Sequence, residues 1–349
     1  MTTRSTQPAR LDSLTGFRFL AALTRCTCLD LFESGTFTQM ACNACDSTEI
    51  RERYVLEERM FGTGEYFEYL ECAECGSLSI AKAPEDLARY YPDDYYSLGT
   101  PDLGSHLKRS LAQLRAHIWR RYPRIIQQRW IPNKLKLSQL QSWLRTFPVN
   151  DAILDVGSGR GNSLVRLYQS GYRNLVGVDP FVAADETIAP GFEIRRGEVS
   201  DVAGTFRLVT INHALEHVEE PLATLKQVRE KLTRDGTLVV RVPVMGKAAW
   251  REYGTSWIQL DPPRHLTIFT EAGMAALALR VGLQLDRVEY DSTGFQFWGS
   301  ELTKRSVALF DGSPRMFSSA ELTEFEQRAE RLNLERDGDQ AAFVLSLSS

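Results

Sequence analysis

Long hydrophobic runs are absent from this 349-residue sequence. No stretch approaches the roughly 18 consecutive apolar residues of a transmembrane helix, so we expect no membrane-spanning helix. We also expect no secretory signal peptide, because the apolar segment 17–23 is short and contains Arg18. Glycine and proline are not enriched (24 and 14 residues), which excludes a collagen-like or wholly disordered chain. These absences predict a cytoplasmic globular protein of about two domains.

Cysteine is absent after residue 75, and four of the six cysteines before that point form two C-x2-C pairs. The pairs are Cys42 with Cys45 and Cys72 with Cys75, separated by 26 residues. Two such turns can direct four thiolates to one point, as in tetrahedral zinc sites. A disulfide interpretation conflicts with a cytoplasmic location, and a redox C-x-x-C normally occurs singly. The spacing predicts a zinc-binding module over residues 41–80, with iron as the alternative metal.

Acidic residues are scarce between the cysteine module and residue 150. Residues 101–150 contain ten Lys or Arg and a single acid, although the net charge of the chain is −4. Leucines at 107, 111 and 114 have helical spacing, so we predict a basic helical connector over 81–149 and a disordered extension over 1–40. The basic run is either a solvated helix face or a contact for a phosphate-bearing acceptor, an anionic membrane surface or nucleic acid. Nucleic acid is disfavoured because the whole chain is acidic.

A glycine-rich segment follows a short apolar run in the second half of the chain. Residues 152–156 have the composition of a buried parallel strand and lead into the glycines at 157, 159 and 161. A second predicted strand, 175–178, ends at Asp179. Glycines let the backbone approach a ligand closely, and an acid at this position can accept hydrogen bonds from ribose hydroxyls. The dinucleotide fingerprint needs glycine at 162, where Asn162 stands, so the pattern fits a nucleoside cofactor with an amino acid tail better.

Three segments resemble successive motifs of class I S-adenosylmethionine-dependent methyltransferases. They are 153–162 (ILDVGSGRGN), 176–180 (VGVDP) and 209–218 (VTINHALEHV). The resemblance extends over roughly 42–347 to bacterial enzymes with an N-terminal four-cysteine zinc module, among them sugar C-methyltransferases and relatives linked to surface polysaccharides. It implies an α/β fold, with a Rossmann-like sheet of seven strands over 150–349 and a small zinc-ribbon-like module before it.

The resemblance also implies which residues bind the cofactor and what the enzyme methylates. The implied cofactor-binding residues are Asp155, Gly157, Gly159, Gly161, Asp179, Glu198, Asn212, His213 and Leu215. Asp155 and the glycines would hold the methionine end of S-adenosylmethionine, and Asp179 would bind the ribose hydroxyls. The implied acceptor is a small molecule such as a nucleotide-sugar, a lipid-linked sugar or a polysaccharide precursor.

Residues 244–268 form a long connection after the fifth predicted strand of the sheet, and connections of this length commonly act as lids over active sites. The segment contains His265, our first candidate for a catalytic base or an acceptor contact, and His213 is the second candidate. The alternative function is a zinc-module binding protein whose Rossmann-like domain has no activity. The intact Asp155, glycine loop and Asp179 disfavour that alternative.

Overall fold

A computed structural model describes most of the chain. It covers residues 41–91, 102–105, 110–114, 116–117 and 147–348. The predicted extension 1–40 and most of the basic connector lie outside the described residues. Residues 110–114 and 116–117 are helical, in agreement with the leucine spacing, and Leu111 and Leu114 are exposed. In the described part of the chain, no helix combines the length and the apolar character needed to cross a bilayer.

The described residues form two β-sheets and a set of helices packed around them. The strands are β1 (Ile50–Glu57), β2 (Tyr66–Cys72), β3 (Leu78–Ile80), β4 (Ile153–Val156), β5 (Leu175–Asp179), β6 (Glu186–Ala189), β7 (Phe192–Arg196), β8 (Phe206–Asn212), β9 (Leu232–Pro243), β10 (Thr267–Ile268), β11 (Leu283–Tyr290) and β12 (Gln340–Leu347). The α-helices of the region 147–348 are α1 (Asn162–Gln169), α2 (Pro221–Lys231), α3 (Ala248–Tyr253), α4 (Glu271–Arg280), α5 (Phe295–Lys304) and α6 (Ser319–Leu334).

The larger sheet has the order β11-β12-β9-β8-β4-β5-β7-β6. Strands β9, β8, β4, β5 and β7 are parallel, and the three remaining strands pair antiparallel at the two sides. This arrangement confirms the predicted α/β, Rossmann-like fold class, but the sheet has eight strands rather than seven. The additional strand, β6, is a four-residue edge strand with no buried position, so it carries no hydrophobic pattern that could have revealed it.

Alternate residues of the central strands enter two separate cores, one on each face of the large sheet. Leu154 of β4 packs in the core that contains residues of α2 and α4. Ile153 packs on the opposite face, in the core that contains Leu164 and Leu167 of α1. Every residue of β4 and β5 is buried, as expected for parallel strands covered by helices on both faces.

The strand order of the large sheet reverses at β4. Strands β5 and β7 follow on one side of β4, whereas β8 and β9 follow on the other. In open α/β sheets a ligand crevice forms beyond the carboxyl ends of the strands at such a reversal. The glycine-rich segment after β4, Asp179 at the end of β5 and Asn212 at the end of β8 all lie at this edge.

The smaller sheet joins the cysteine module to the predicted lid. Its order is β1-β2-β3-β10, and β10 lies within the connection that follows β9. Thr267 lies opposite Ser79, and Ile268 lies opposite Leu78. The lid region is folded and packed, with α3, short 3-10 turns and the buried Trp257. The predicted zinc module and the predicted lid therefore share one sheet.

Candidate active site at the carboxyl edge of the large sheet

The glycine loop after β4 contains three glycines whose backbone has the left-handed conformation. The φ angles of Gly157, Gly159 and Gly161 are +67°, +51° and +85°, a region that residues with a Cβ rarely adopt. A Cβ on Gly157 would lie 2.4 Å from the Cβ of Ala214, in the loop that follows β8. Glycine at this position lets the loops after β4 and β8 approach each other closely, and it leaves backbone exposed for a ligand.

Asp155 occupies the buried end of β4 beside the next strand. One carboxylate oxygen accepts hydrogen bonds from Thr210 Oγ1 at 2.6 Å and Asn212 Nδ2 at 3.1 Å. Burial raises the pKa of Asp155 to about 6, although these two hydrogen bonds lower it and the charge of Asp179 adds to the rise. The site therefore holds a carboxylate that a cationic ligand group would stabilise in its charged form.

Asp179, at the end of β5, holds the glycine loop in place. Its Oδ2 accepts the Gly159 N–H at 2.8 Å, and its Oδ1 accepts the Phe181 N–H at 2.8 Å. A carboxylate oxygen has two lone pairs, so each oxygen can still accept a hydrogen bond from a ligand hydroxyl. The structure thus brings Asp155, the glycine loop and Asp179 together at one edge.

Two other predicted cofactor residues lie in a short 3-10 turn or directly before one. Leu215 is fully buried in the turn that follows β8. Glu198 is exposed after β7, and its N–H donates to Asp201 at 2.8 Å in a local capping interaction. Both residues follow strands of the parallel sheet, on either side of the crevice.

The two predicted catalytic histidines have different hydrogen-bond partners. Arg241 Nη1 lies 2.6 Å from His213 Nε2, and because arginine can only donate, this nitrogen accepts. His265 is buried, and its Nδ1 donates to the carbonyl of Gln259 at 2.7 Å. The Nε2 of His265 lies 3.9 Å from an Asp261 oxygen. The Nδ1 of His265 is therefore engaged with the backbone, whereas the Nε2 of His213 is engaged with Arg241.

A buried ion network, which the sequence analysis missed, connects the cysteine module with the lid. Arg264 is fully buried and donates to Glu58 at 2.7 Å and to Asp261 at 2.6 Å. Tyr69 of β2 donates its hydroxyl hydrogen to the carbonyl oxygen of His265 at 2.8 Å. Glu58 and Arg264 are 206 positions apart, and no local pattern signals a pairing of this kind.

The four predicted metal-binding cysteines converge on one point. Cys42 Sγ and Cys75 Sγ are 3.6 Å apart, Cys45 Sγ and Cys72 Sγ are 3.5 Å apart, and all four lie within 4.8 Å of one another. A tetrahedral zinc with bonds of ~2.3 Å would separate its sulfurs by roughly 3.8 Å, so the spacing fits. The cysteines form no disulfide. The predicted gathering of these four residues is confirmed.

Comparison with known proteins finds a similar family for part of the chain. Residues 120–288 match the family described as a methyltransferase domain. This segment is therefore similar to methyltransferase domains. No curated protein matches the chain.

Solved structures similar to this chain include three that concern methyl transfer or its donor. The mitomycin 7-O-methyltransferase MmcR is 13% identical, with a TM-score of 0.36, over 57% of this chain and 49% of that chain. LepI in complex with SAM is 16% identical, with a TM-score of 0.39, over 63% of this chain and 50% of that chain. A SAM-dependent methyltransferase from Archaeoglobus fulgidus is 18% identical, with a TM-score of 0.38, over 60% of this chain and 91% of that chain. The chain thus spans about half the length of the first two proteins.

Proposed function

We propose that this protein is a methyltransferase that binds S-adenosylmethionine in the crevice beside β4 and methylates a small molecule there. The observation that carries the proposal is the convergence of Asp155, the glycine loop and Asp179 on one edge of the sheet. The proposed cofactor-binding residues are those predicted from the sequence: Asp155, Gly157, Gly159, Gly161, Asp179, Glu198, Asn212, His213 and Leu215.

The residues of the crevice suit the chemical groups of this cofactor. Asp155 would attract the cationic amino acid end, and the glycine backbone would allow that end to approach closely. Asp179 would accept hydrogen bonds from the ribose hydroxyls with its remaining lone pairs. The cofactor supplies a methyl group already activated on a positive sulfur, so the protein mainly has to orient the acceptor and exclude water.

For the acceptor, we propose contacts with His265 and His213, which both lie close to the loop after β8. Glu216 of that loop is 3.4 Å from His213 Nδ1, and it belongs to a cluster that includes His265. The proposed acceptor class is a nucleotide-sugar, a lipid-linked sugar or a polysaccharide precursor, supported by the family resemblance of the sequence. A phosphate on the acceptor and a cytoplasmic location remain predictions, and most of the basic run 101–150 lies outside the described residues.

We further propose that Cys42, Cys45, Cys72 and Cys75 bind a structural zinc ion. The symmetric turns support this: Asp46 N–H donates to Cys42 O at 2.9 Å, and Gly76 N–H donates to Cys72 O at 3.0 Å. Four thiolates fill a tetrahedral coordination sphere and leave no open position for a substrate. The metal would therefore stabilise the small sheet rather than take part in methyl transfer.

The test is incubation of the purified full chain with isotopically labelled S-adenosylmethionine and a panel of acceptors. The panel contains nucleotide-sugars, lipid-linked sugars and the same sugars without phosphate. We expect label in a phosphate-bearing sugar, and the variant Asp155→Asn should give much less product under the same conditions. Bound cofactor with no labelled product from any panel member would overturn the proposed acceptor class.

A further inference from the structure

Glu216 is a buried carboxylate that accepts no hydrogen bond from the described residues. Its side chain is fully buried in the 3-10 turn after β8, and neither oxygen has a hydrogen-bond partner there. His213 Nδ1 lies 3.4 Å from one oxygen without the alignment of a hydrogen bond. A buried carboxyl group without a hydrogen-bond partner is costly and requires an explanation.

Two histidines lie beside this carboxylate with their Nδ1 atoms facing backbone carbonyls. His217 Nδ1 lies 2.9 Å from the carbonyl oxygen of Arg264, and His265 Nδ1 lies 2.7 Å from that of Gln259. A carbonyl oxygen only accepts, so both Nδ1 atoms donate, and the hydroxyl oxygen of Tyr91, 3.0 Å from His217 Nδ1, can accept from the same hydrogen. In a neutral imidazole with this tautomer, Nε2 keeps a lone pair. Histidines that bind metals through one nitrogen typically donate the other N–H to a carbonyl or a carboxylate in this way.

The side chains of Glu216, His217 and His265 lie next to one another. The rings of His217 and His265 are in contact, with centroids 4.7 Å apart. One ligand atom from each of Glu216, His217 and His265 lies within 4.8 Å of the other two. A small movement of the three side chains toward one another would allow a metal ion to lie ~2.0–2.2 Å from each of the three ligand atoms.

The charges around the cluster favour a cation. Arg264 is the positive partner of both Glu58 and Asp261, and all three side chains are buried or nearly so. Glu58, Asp261 and Glu216 are therefore three carboxylates in a low-dielectric region that contains one guanidinium, that of Arg264. Uncompensated buried charge is unfavourable, and a divalent cation next to Glu216 would neutralise the excess.

We propose that Glu216, His217 and His265 bind one divalent transition-metal ion through a carboxylate oxygen and the two Nε2 atoms. Two imidazoles and one carboxylate suit ions such as Zn²⁺, Fe²⁺, Co²⁺ or Ni²⁺ and leave coordination positions open. This site differs from the four-cysteine site in its donors and in its open positions. It goes beyond the proposed methyl transfer, and it also gives His265 a means of contacting an acceptor, as a ligand of the metal.

Cobalt titration of the full chain, with zinc already bound at the four cysteines, tests this site. Equilibrium dialysis followed by elemental analysis measures zinc and cobalt together, without S-adenosylmethionine or acceptor. We expect one cobalt per chain in addition to one zinc. The variants Glu216→Gln, His217→Gln and His265→Gln should each weaken cobalt binding at least about tenfold while the zinc content is unchanged.

The matched control is His117→Gln, which removes an exposed histidine outside the cluster and should leave cobalt binding unchanged. Retained zinc and retained S-adenosylmethionine binding show that a variant is folded, and Glu216→Gln has the same shape as the natural side chain. Wild-type protein that takes up zinc alone would overturn the proposal, as would unchanged cobalt binding in the three variants. Neither measurement involves methyl transfer, so a failure here is distinct from a failure of the proposed function.

Discussion

Asp155 and Asp179 lie 24 positions apart in sequence, in neighbouring parallel strands, whereas Glu58 and Arg264 are 206 positions apart and meet in a buried ion pair. The first pair belongs to the proposed cofactor side of the site, and the second belongs to the proposed acceptor side, where the cysteine module packs against the lid. Backbone hydrogen bonds and glycine geometry shape the cofactor side. Buried charges and a shared sheet hold the acceptor side together.

This difference indicates that the two sides can be disturbed separately. The strands around β4 draw their stability from the two large cores on the faces of the main sheet. The lid draws much of its order from contacts with the small sheet, including the hydrogen bond from Tyr69 to His265. Damage to the small sheet should therefore alter the acceptor side first.

Metal removal from the four cysteines should have the largest effect. Binding of a structural zinc ion contributes about 10–16 kcal/mol in zinc-finger peptides, comparable to the whole stability of a domain. Strong chelation should therefore unfold β1–β3 and release β10. Hydrogen exchange should rise in 66–80 and 261–268, while 153–179 stays protected. Equal loss of protection in the strands around β4 would contradict the separation of the two sides.

Arg264→Met should produce the next largest effect. The substitution leaves Glu58 and Asp261 as buried carboxylates without their cation, and loss of one partner of a buried ion pair costs about 3–5 kcal/mol. Chemical denaturation measures this as a fall in the free energy of unfolding. Arg251→Met is the control, because Arg251 pairs with Asp337 at the surface and exposed pairs contribute about 0–1 kcal/mol. Similar losses in the free energy of unfolding in the two variants would contradict a larger contribution of the buried network to stability.

The cofactor side could be predicted from the sequence because its signals are local. The run 153–162 contains a buried strand, the glycine loop and the start of a helix, and Asp179 follows one strand later. Backbone sterics and hydrophobic periodicity were sufficient to predict these elements from the sequence. The clustering of the four cysteines was also predictable, because the C-x2-C turn constrains each pair.

The acceptor side could not be predicted in the same way. The pairing of β3 with β10, and of Glu58 with Arg264, depends on packing between segments almost 200 residues apart or more. His265 was noted as a lid residue, but its contact with His217 arises only when the lid folds back onto the turn after β8. The edge strand β6 was missed because none of its residues is fully buried.

Gly157→Ala tests whether close approach of two loops shapes the cofactor side. The new Cβ would lie 2.4 Å from Ala214 Cβ, so the glycine loop must shift. We expect a loss of roughly 1–3 kcal/mol in stability and weaker S-adenosylmethionine binding, measured by denaturation and calorimetry. Gly64→Ala is the control, because Gly64 has a similar φ of +71° but nothing within 4 Å of the new Cβ. Unchanged cofactor binding in Gly157→Ala would contradict the proposed placement.

The affinity for S-adenosylmethionine should depend on pH through Asp155. The pKa of this carboxyl is raised to about 6, so it is mostly ionised at pH 7 and mostly protonated at pH 5. A cationic ligand prefers the ionised form, so affinity should rise with pH and fall by about tenfold between pH 7 and pH 5. Asp155→Asn keeps the shape of the side chain but cannot ionise there, so its profile should be flat over the same range. A wild-type profile as flat as that of Asp155→Asn would remove Asp155 from the cofactor site.

Calorimetric titration of the wild type and of Asp179→Ala with S-adenosylmethionine, and separately with NAD, tests the central claim most directly. We predict that the wild type binds S-adenosylmethionine and not NAD. Asp179→Ala should bind S-adenosylmethionine about 1–3 kcal/mol more weakly, because the ribose hydroxyls lose a charged acceptor. Equal affinity in the two proteins, or NAD binding by the wild type, would contradict the placement of this cofactor beside β4.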